Sequence, residues 1–198
     1  MEREVDGHCS GSGSSNRSPN GGAGLALPKT LADYLANPVA QTKWVDGYIV
    51  EKVGQTLGDA KLQTRLLFRW LGYVECQPLG GMVLVKAPGQ TKGKVRRPDA
   101  AYSSPDLIQQ FGEDIATLLQ SYPLVEEIFS PTDCGEDIFL KAQEYLSSDV
   151  LEVWLIFPKS KFIFIQTQDR HLWLTEQETA KSQVVLPGFE IQVADLLG

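Results

Sequence analysis

The chain has 198 residues, with 25 acidic and 18 basic side chains and a formal net charge of −7. That length suits one domain, and the acidic total argues against tight, non-specific nucleic-acid binding through a broad basic surface. Apolar residues make up 42%, enough for one core. No run approaches the ~20 apolar residues of a membrane helix, so a soluble chain with no membrane partner is expected.

Met1-Glu-Arg-Glu-Val-Asp lacks the basic-then-apolar order of a secretory signal. Cysteines at 9, 76 and 134 match no zinc spacing, which points to a reducing, cytoplasmic setting. Residues 10–24 are almost all Ser, Gly, Asn and Pro. Such a stretch has nothing to bury, so residues 1–27, with His8 and Cys9, are expected to form a disordered tail. The folded domain is expected over 28–198.

Thr30 is a plausible cap for a short helix carrying Leu31, Tyr34 and Leu35, which Pro38 stops. Asp46-Gly47 between Trp44-Val45 and Tyr48-Ile49-Val50 suits a type I′ hairpin. An amphipathic helix follows from about Leu57 to Leu71, ended by Gly72. Short strands fit Val74–Gln77, Met82–Lys86 and Pro98–Tyr102. Gln109–Leu119 fits either a short helix or part of a long loop. Leu124–Phe129 reads as a strand, and Asp133-Cys-Gly-Glu136 as a capping box for a helix with Ile138, Ala142, Tyr145 and Leu146 inward. Leu151–Phe157 and Lys161–Gln166 read as an antiparallel pair, with later strands at His171–Leu174 and Gln183–Leu186. Trp70, Trp154 and Trp173 fall on apolar stripes and are expected in the core. This order implies a mixed α/β (α+β) domain, one mixed central sheet flanked by helices, with a strand–helix–strand unit over Leu124–Phe157.

Charge is unevenly spread. Lys86, Lys92, Lys94, Arg96 and Arg97 follow one another with no acid between, whereas Asp99–Glu152 holds twelve acids and one base, Lys141. A basic run beside dense carboxylates suits a site where phosphate meets a metal ion. For Lys92 and Lys94 a solvated loop is the simpler reading; for Arg96 and Arg97 the two readings weigh equally.

Asp99 opens one strand, and Glu126-Glu127 lie inside the next. Side chains alternate along a strand, so only one of the two glutamates can share a face with Asp99. Carboxylates converging from neighbouring strands repel unless a cation lies between them, and oxygen ligands with few histidines favour Mg²⁺ or Mn²⁺ over zinc. On spacing alone, strand-end acids bonded to Arg96, Arg97 or backbone are the simpler account. Lys141 follows Asp137 by four residues, which an ordinary helical ion pair explains. It also borders the apolar face and could lean toward the sheet, where an ammonium near two carboxylates would orient water or stabilise phosphoryl charge.

Pro98-Asp99-Ala-Ala-Tyr, Val125-Glu126-Glu127-Ile-Phe-Ser130-Pro131-Thr-Asp133, Glu136-Asp137…Lys141…Tyr145-Leu146 and Glu152-Val-Trp-Leu-Ile-Phe-Pro158 occur in this order. Together with the Trp44–Val50 hairpin, they resemble the Uma-two endonuclease family of the restriction-endonuclease-like PD-(D/E)XK superfamily. The likeness covers roughly 28–198, and Glu127–Pro158 is its specific part. It implies a Mg²⁺-dependent (or Mn²⁺-dependent) endonuclease cleaving DNA through local contact. Asp99 and Glu127 would be metal ligands with the Ile128 backbone carbonyl, and Lys141 the catalytic lysine. The superfamily's usual lysine position is Phe129 here, and a histidine common at the start of the first long helix corresponds to Asp59. Asp59 and Glu126 are additional candidate ligands, and Arg96 and Arg97 candidate phosphate contacts. The alternative is a nuclease-like fold kept as a non-catalytic, homodimeric interaction protein.

Overall fold

The computed structural model describes residues 30–51, 56–130 and 135–198. The expected tail, with His8 and Cys9, and the Asp133-Cys134 part of the expected capping box lie outside them. The centre is a six-stranded sheet of β3 (Met82–Val85), β6 (Ala100–Ser103), β7 (Leu124–Ile128), β8 (Glu152–Phe157), β9 (Phe162–Thr167) and β10 (His171–Thr175), in the order β10-β9-β8-β7-β6-β3. β7 and β8 are parallel and joined through α4 (Gly135–Leu146), while the other neighbours are antiparallel. The sheet is therefore mixed, as expected. Every residue of β7 and β8 is buried, because helices cover both faces of these central strands.

Strand alternation sorts the core into two layers. Leu124, Ile128, Trp154 and Ile156 pack against α2 (Leu57–Cys76) and α5 (Val193–Leu197). Val125, Val153 and Leu155 pack against α4 and Leu107 of α3 (Pro105–Phe111). Trp70 of α2 meets Trp154 edge to face, 5.9 Å between ring centroids. A second, four-stranded antiparallel sheet, β2-β1-β5-β4, is built from β1 (Thr42–Val45), β2 (Tyr48–Glu51), β4 (Gly89–Thr91) and β5 (Lys94–Arg96). Its β1–β2 hairpin turns at Asp46 (φ 50°) and Gly47 (φ 89°), both in the left-handed region that a type I′ turn needs. The Thr30 cap of α1 (Leu31–Ala36) forms as expected.

Several local expectations change. Gly72 does not end α2, which runs to Cys76 and replaces the strand expected at Val74–Gln77. A glycine inside a helix costs about 1 kcal/mol, and Tyr73 and Val74 beyond it pack into the core and offset that cost. The Gln109–Leu119 helix lies earlier, as α3, because Ser104 caps it and Pro105 sits in its first turn. Lys92-Gly93 is the turn of the β4–β5 hairpin, with Gly93 at φ 79°, so Lys94 belongs to a strand rather than a loop. Trp173 is 56% exposed. It lies on edge strand β10, and one side of its ring is covered by Phe139, Phe162 and Phe164.

Gln183–Leu186 is not a strand; β11 (Thr179–Lys181) and β12 (Glu190–Gln192) flank it as a two-stranded ribbon. The reason is Glu152, a fully buried residue at the start of β8. Its Oε2 accepts from the backbone N–H groups of Gln183 (3.0 Å), Val184 (2.9 Å) and Val185 (3.2 Å) and from Ser182 Oγ (2.8 Å), and its Oε1 accepts from Trp154 Nε1 (2.6 Å). Those N–H groups are committed to a carboxylate and cannot form a ladder. Removing the acceptor strands several donors at once, so Glu152→Ala is expected to lower the unfolding free energy by about 3 kcal/mol or more. Urea denaturation checks this, and a loss under ~1 kcal/mol would contradict the network's role.

Candidate active site

The candidate site forms where β6 and β7 part and α4 crosses behind them. Beyond Ala100↔Glu126 the β6–β7 pairing slips by one residue, with the Asp99 N–H donating to the Glu126 carbonyl at 2.9 Å. At the next position the ladder opens: the Ile128 N–H donates to Asp99 Oδ2 at 3.1 Å instead of to a backbone carbonyl. The buried Asp99 carboxylate is thereby held at the strand end. The N–H and C=O of one strand residue point to the same edge, so the Ile128 carbonyl also faces the Asp99 side.

Pleating separates the two glutamates. Leu124 and Ile128 face the α2 layer and Val125 the α4 layer, so Glu126 points toward α2 and Glu127 toward α4. Both are buried. Lys141 Nζ lies 2.7 Å from Glu127 Oε2, and the Tyr145 hydroxyl donates to Glu127 Oε1 at 2.7 Å. Lys141 and Tyr145 are four residues apart and share one helical face, so α4 closes on both oxygens of the carboxylate. Lys141 pairs here with Glu127, whereas spacing alone favoured Asp137. Its side chain is 21% exposed, so Lys141 is partly open to solvent while its ammonium meets the carboxylate. Burial, then the charge and hydrogen bond of Glu127, push the Tyr145 hydroxyl well above the usual tyrosine range. It remains a neutral donor.

On the other face, Gln63 of α2 donates through its side-chain amide to the Asp99 carbonyl, which also accepts from Lys86 N–H at 3.3 Å. Asp59 lies one turn earlier on α2 in a reciprocal capping box with Thr56. It is buried at the helix start, on the stripe that carries Gln63.

The two arginines occupy structural ties. Arg96 grips Glu144 of α4 with Nε (2.8 Å to Oε1) and Nη2, a two-pronged pair. Thr91 Oγ (2.6 Å) and Lys94 Nζ (3.4 Å) meet the same carboxylate, so Glu144 fastens the small sheet to α4. Burial pushes the Glu144 carboxyl up, but the bonds from Arg96 and Thr91 and the charges of Arg96 and Lys94 outweigh it and hold its pKa low. Arg97 donates to the carbonyls of Thr42 (2.7 Å) and Lys86 (2.7 Å), tying β1 to the segment before Asp99. Among the described residues no three His, Cys, Asp or Glu side chains gather as a metal cage. Any cation here would rest on two carboxylates and main-chain oxygen.

A family model described as "Putative restriction endonuclease", Uma2, matches residues 28–194. The chain belongs to the Uma2 family. The fold agrees with a solved structure titled as a "putative nuclease belonging to DUF820" from Anabaena variabilis ATCC 29413, at 17% identity and a TM-score of 0.75, covering 86% of this chain and 98% of that one. No curated protein matches. No helix among the described residues is long and apolar enough to cross a membrane.

Sequence reasoning passed over Gln63, Glu144 and the contact of Tyr145 with Glu127. Tyr145 had a signal, four residues after Lys141 on one face, and Gln63 had another, a polar residue between the core positions Leu62 and Leu66. Glu144 had none, because its partners come from a hairpin about fifty residues away.

Because the Glu144 pKa is lowered in the fold, its contribution to stability is present above the ordinary carboxylate range and is lost as pH falls through the depressed value. Glu144→Gln is therefore expected to destabilise the protein more at pH 7 than at pH 3. Thermal melts at both pH values check this, and equal losses would contradict it.

Proposed function

We propose that this chain is a divalent-metal-dependent endonuclease that hydrolyses DNA phosphodiester bonds, with Asp99, Glu127 and Lys141 as its catalytic set. The observation that carries the reading is the contact of Lys141 with Glu127 on the strand next to Asp99. Two carboxylates and the Ile128 carbonyl are hard oxygen donors, which suit Mg²⁺ or Mn²⁺ with water completing the shell. Hydrogen-bonded carboxylate oxygens keep further lone pairs for a cation. When bound, such an ion supplies Lewis acidity and a more acidic water.

The chain's own residues do the rest. Asp99, fixed by the Ile128 N–H, and Glu127, fixed by α4, hold the ligand oxygens at one end of the sheet. The ammonium of the partly exposed Lys141 can stabilise negative charge on a phosphate oxygen or orient the attacking water. Glu126, on the opposite face from Lys141, is less suited than Glu127 as the strand's ligand, and Asp59 is the further acid on the α2 side. Arg96 serves chiefly by holding α4 through Glu144, and it and Arg97 add positive potential where the DNA backbone would approach. The free Cys76 accords with a reducing cytoplasm.

A second reading is a non-catalytic, homodimeric interaction protein. The same Lys141–Glu127 pair favours it, since the buried carboxylate is already neutralised from within. Incubation of the full chain with plasmid DNA and Mg²⁺ or Mn²⁺ separates the two. Cleavage is expected, and Asp99→Ala should slow it at least ~100-fold. Cleavage that persists unchanged in the variant refutes the assignment. No cleavage, together with no heat of divalent-ion binding in calorimetry, favours the second reading.

A further inference from the structure

We propose that Tyr145 is a positioning residue for Glu127, its hydroxyl pinning Oε1 so that Oε2 is the oxygen left to Lys141 and to a divalent cation. This deepens the metal-dependent reading and rests on it for the cation, though not for the restraint on Glu127. A glutamate side chain has several torsions to fix, and an ammonium on a flexible lysine stem fixes one end of its carboxylate only loosely. Tyr145 is different. Its ring is 2% exposed and packed in the α4-side core with Val125, Ala142 and Leu155, so its hydroxyl comes from a direction that packing has already set. Lys141 and Tyr145 thus act as a fork with one mobile and one rigid prong, which fixes the carboxylate plane. The rotation of α4 is in turn held by Glu144, one residue before Tyr145, through Arg96 and Thr91. Packing alone would be served by phenylalanine; the hydroxyl serves Glu127. Outer partners of this kind orient metal ligands and tune their affinity.

Tyr145→Phe in the full chain tests this. The variant keeps the packed ring and should stay folded, with some loss of melting temperature from the missing bond to a buried carboxylate, while its Mn²⁺ affinity, measured by calorimetry, should fall about 10- to 100-fold. In the metal-free protein, ¹³C relaxation of the Glu127 side chain should show lower order than in wild type. A lower melting temperature with unchanged Mn²⁺ affinity and unchanged Glu127 order overturns the proposal, because a merely structural tyrosine behaves that way. If the wild type takes up no Mn²⁺, the metal-dependent reading fails on its own, and Glu127 order decides the positioning role: a fall supports it and no change overturns it. Should Tyr145→Phe fail to fold, 3-fluorotyrosine at position 145 keeps the shape and donates more strongly. It is expected to shift the Glu127 carboxyl ¹³C resonance, and no shift overturns the proposal.

Discussion

The structure turns on how negative charge is held inside a sheet. Asp99, Glu126, Glu127 and Glu152 are all buried at or beside the three central strands, where an uncompensated carboxylate would cost several kcal/mol. Each compensation shown has a different source. Glu127 takes an ammonium and a phenol from the crossover helix, Asp99 takes a backbone N–H released where the ladder opens, and Glu152 takes a loop's worth of N–H groups. Of these, Glu127 has the partly exposed Lys141 against it, and Asp99 lies just before the neighbouring strand with the Ile128 N–H on its carboxylate. That difference separates a candidate catalytic carboxylate from a structural one of equal burial.

Both helical layers meet at this point. From one side α2 sends the Gln63 amide to the Asp99 carbonyl, and from the other α4 sends Lys141 and Tyr145 to Glu127. The small sheet joins through Glu144, whose partners Thr91, Lys94 and Arg96 all come from the β4–β5 hairpin. The basic run therefore does two kinds of work. Arg96 and Lys94 brace the helix that carries the lysine, while Lys92 at the turn remains in solvent. A charge run that reads as one feature along the chain is divided by the fold between scaffold and surface.

Much of the fold was legible because its signals are local. Asp46-Gly47 permits left-handed backbone at both turn positions, and the strand–helix–strand pattern of Leu124–Phe157 carries its own periodicity. Three misreadings share one cause, the tertiary setting overriding a local cue. Gly72 reads as a stop until Tyr73 and Val74 find the core, and Gln183–Leu186 reads as a strand until Glu152 claims its N–H groups. Trp173 reads as core until its strand proves to be the sheet's edge.

For the site, the sequence by itself determined the chemistry on offer: Asp99 at a strand start, adjacent glutamates of which only one could face it, one lysine in an acidic stretch, and a family likeness borne out over residues 28–194. These follow from residue identity and from the two-residue period of a strand. Only the tertiary structure decided that Glu127 is the glutamate facing α4, that Lys141 turns to it rather than to Asp137, and that Arg96 is spent on Glu144. Those outcomes depend on which elements pack together, and a buried charge takes the nearest partner in space, wherever that partner lies along the chain.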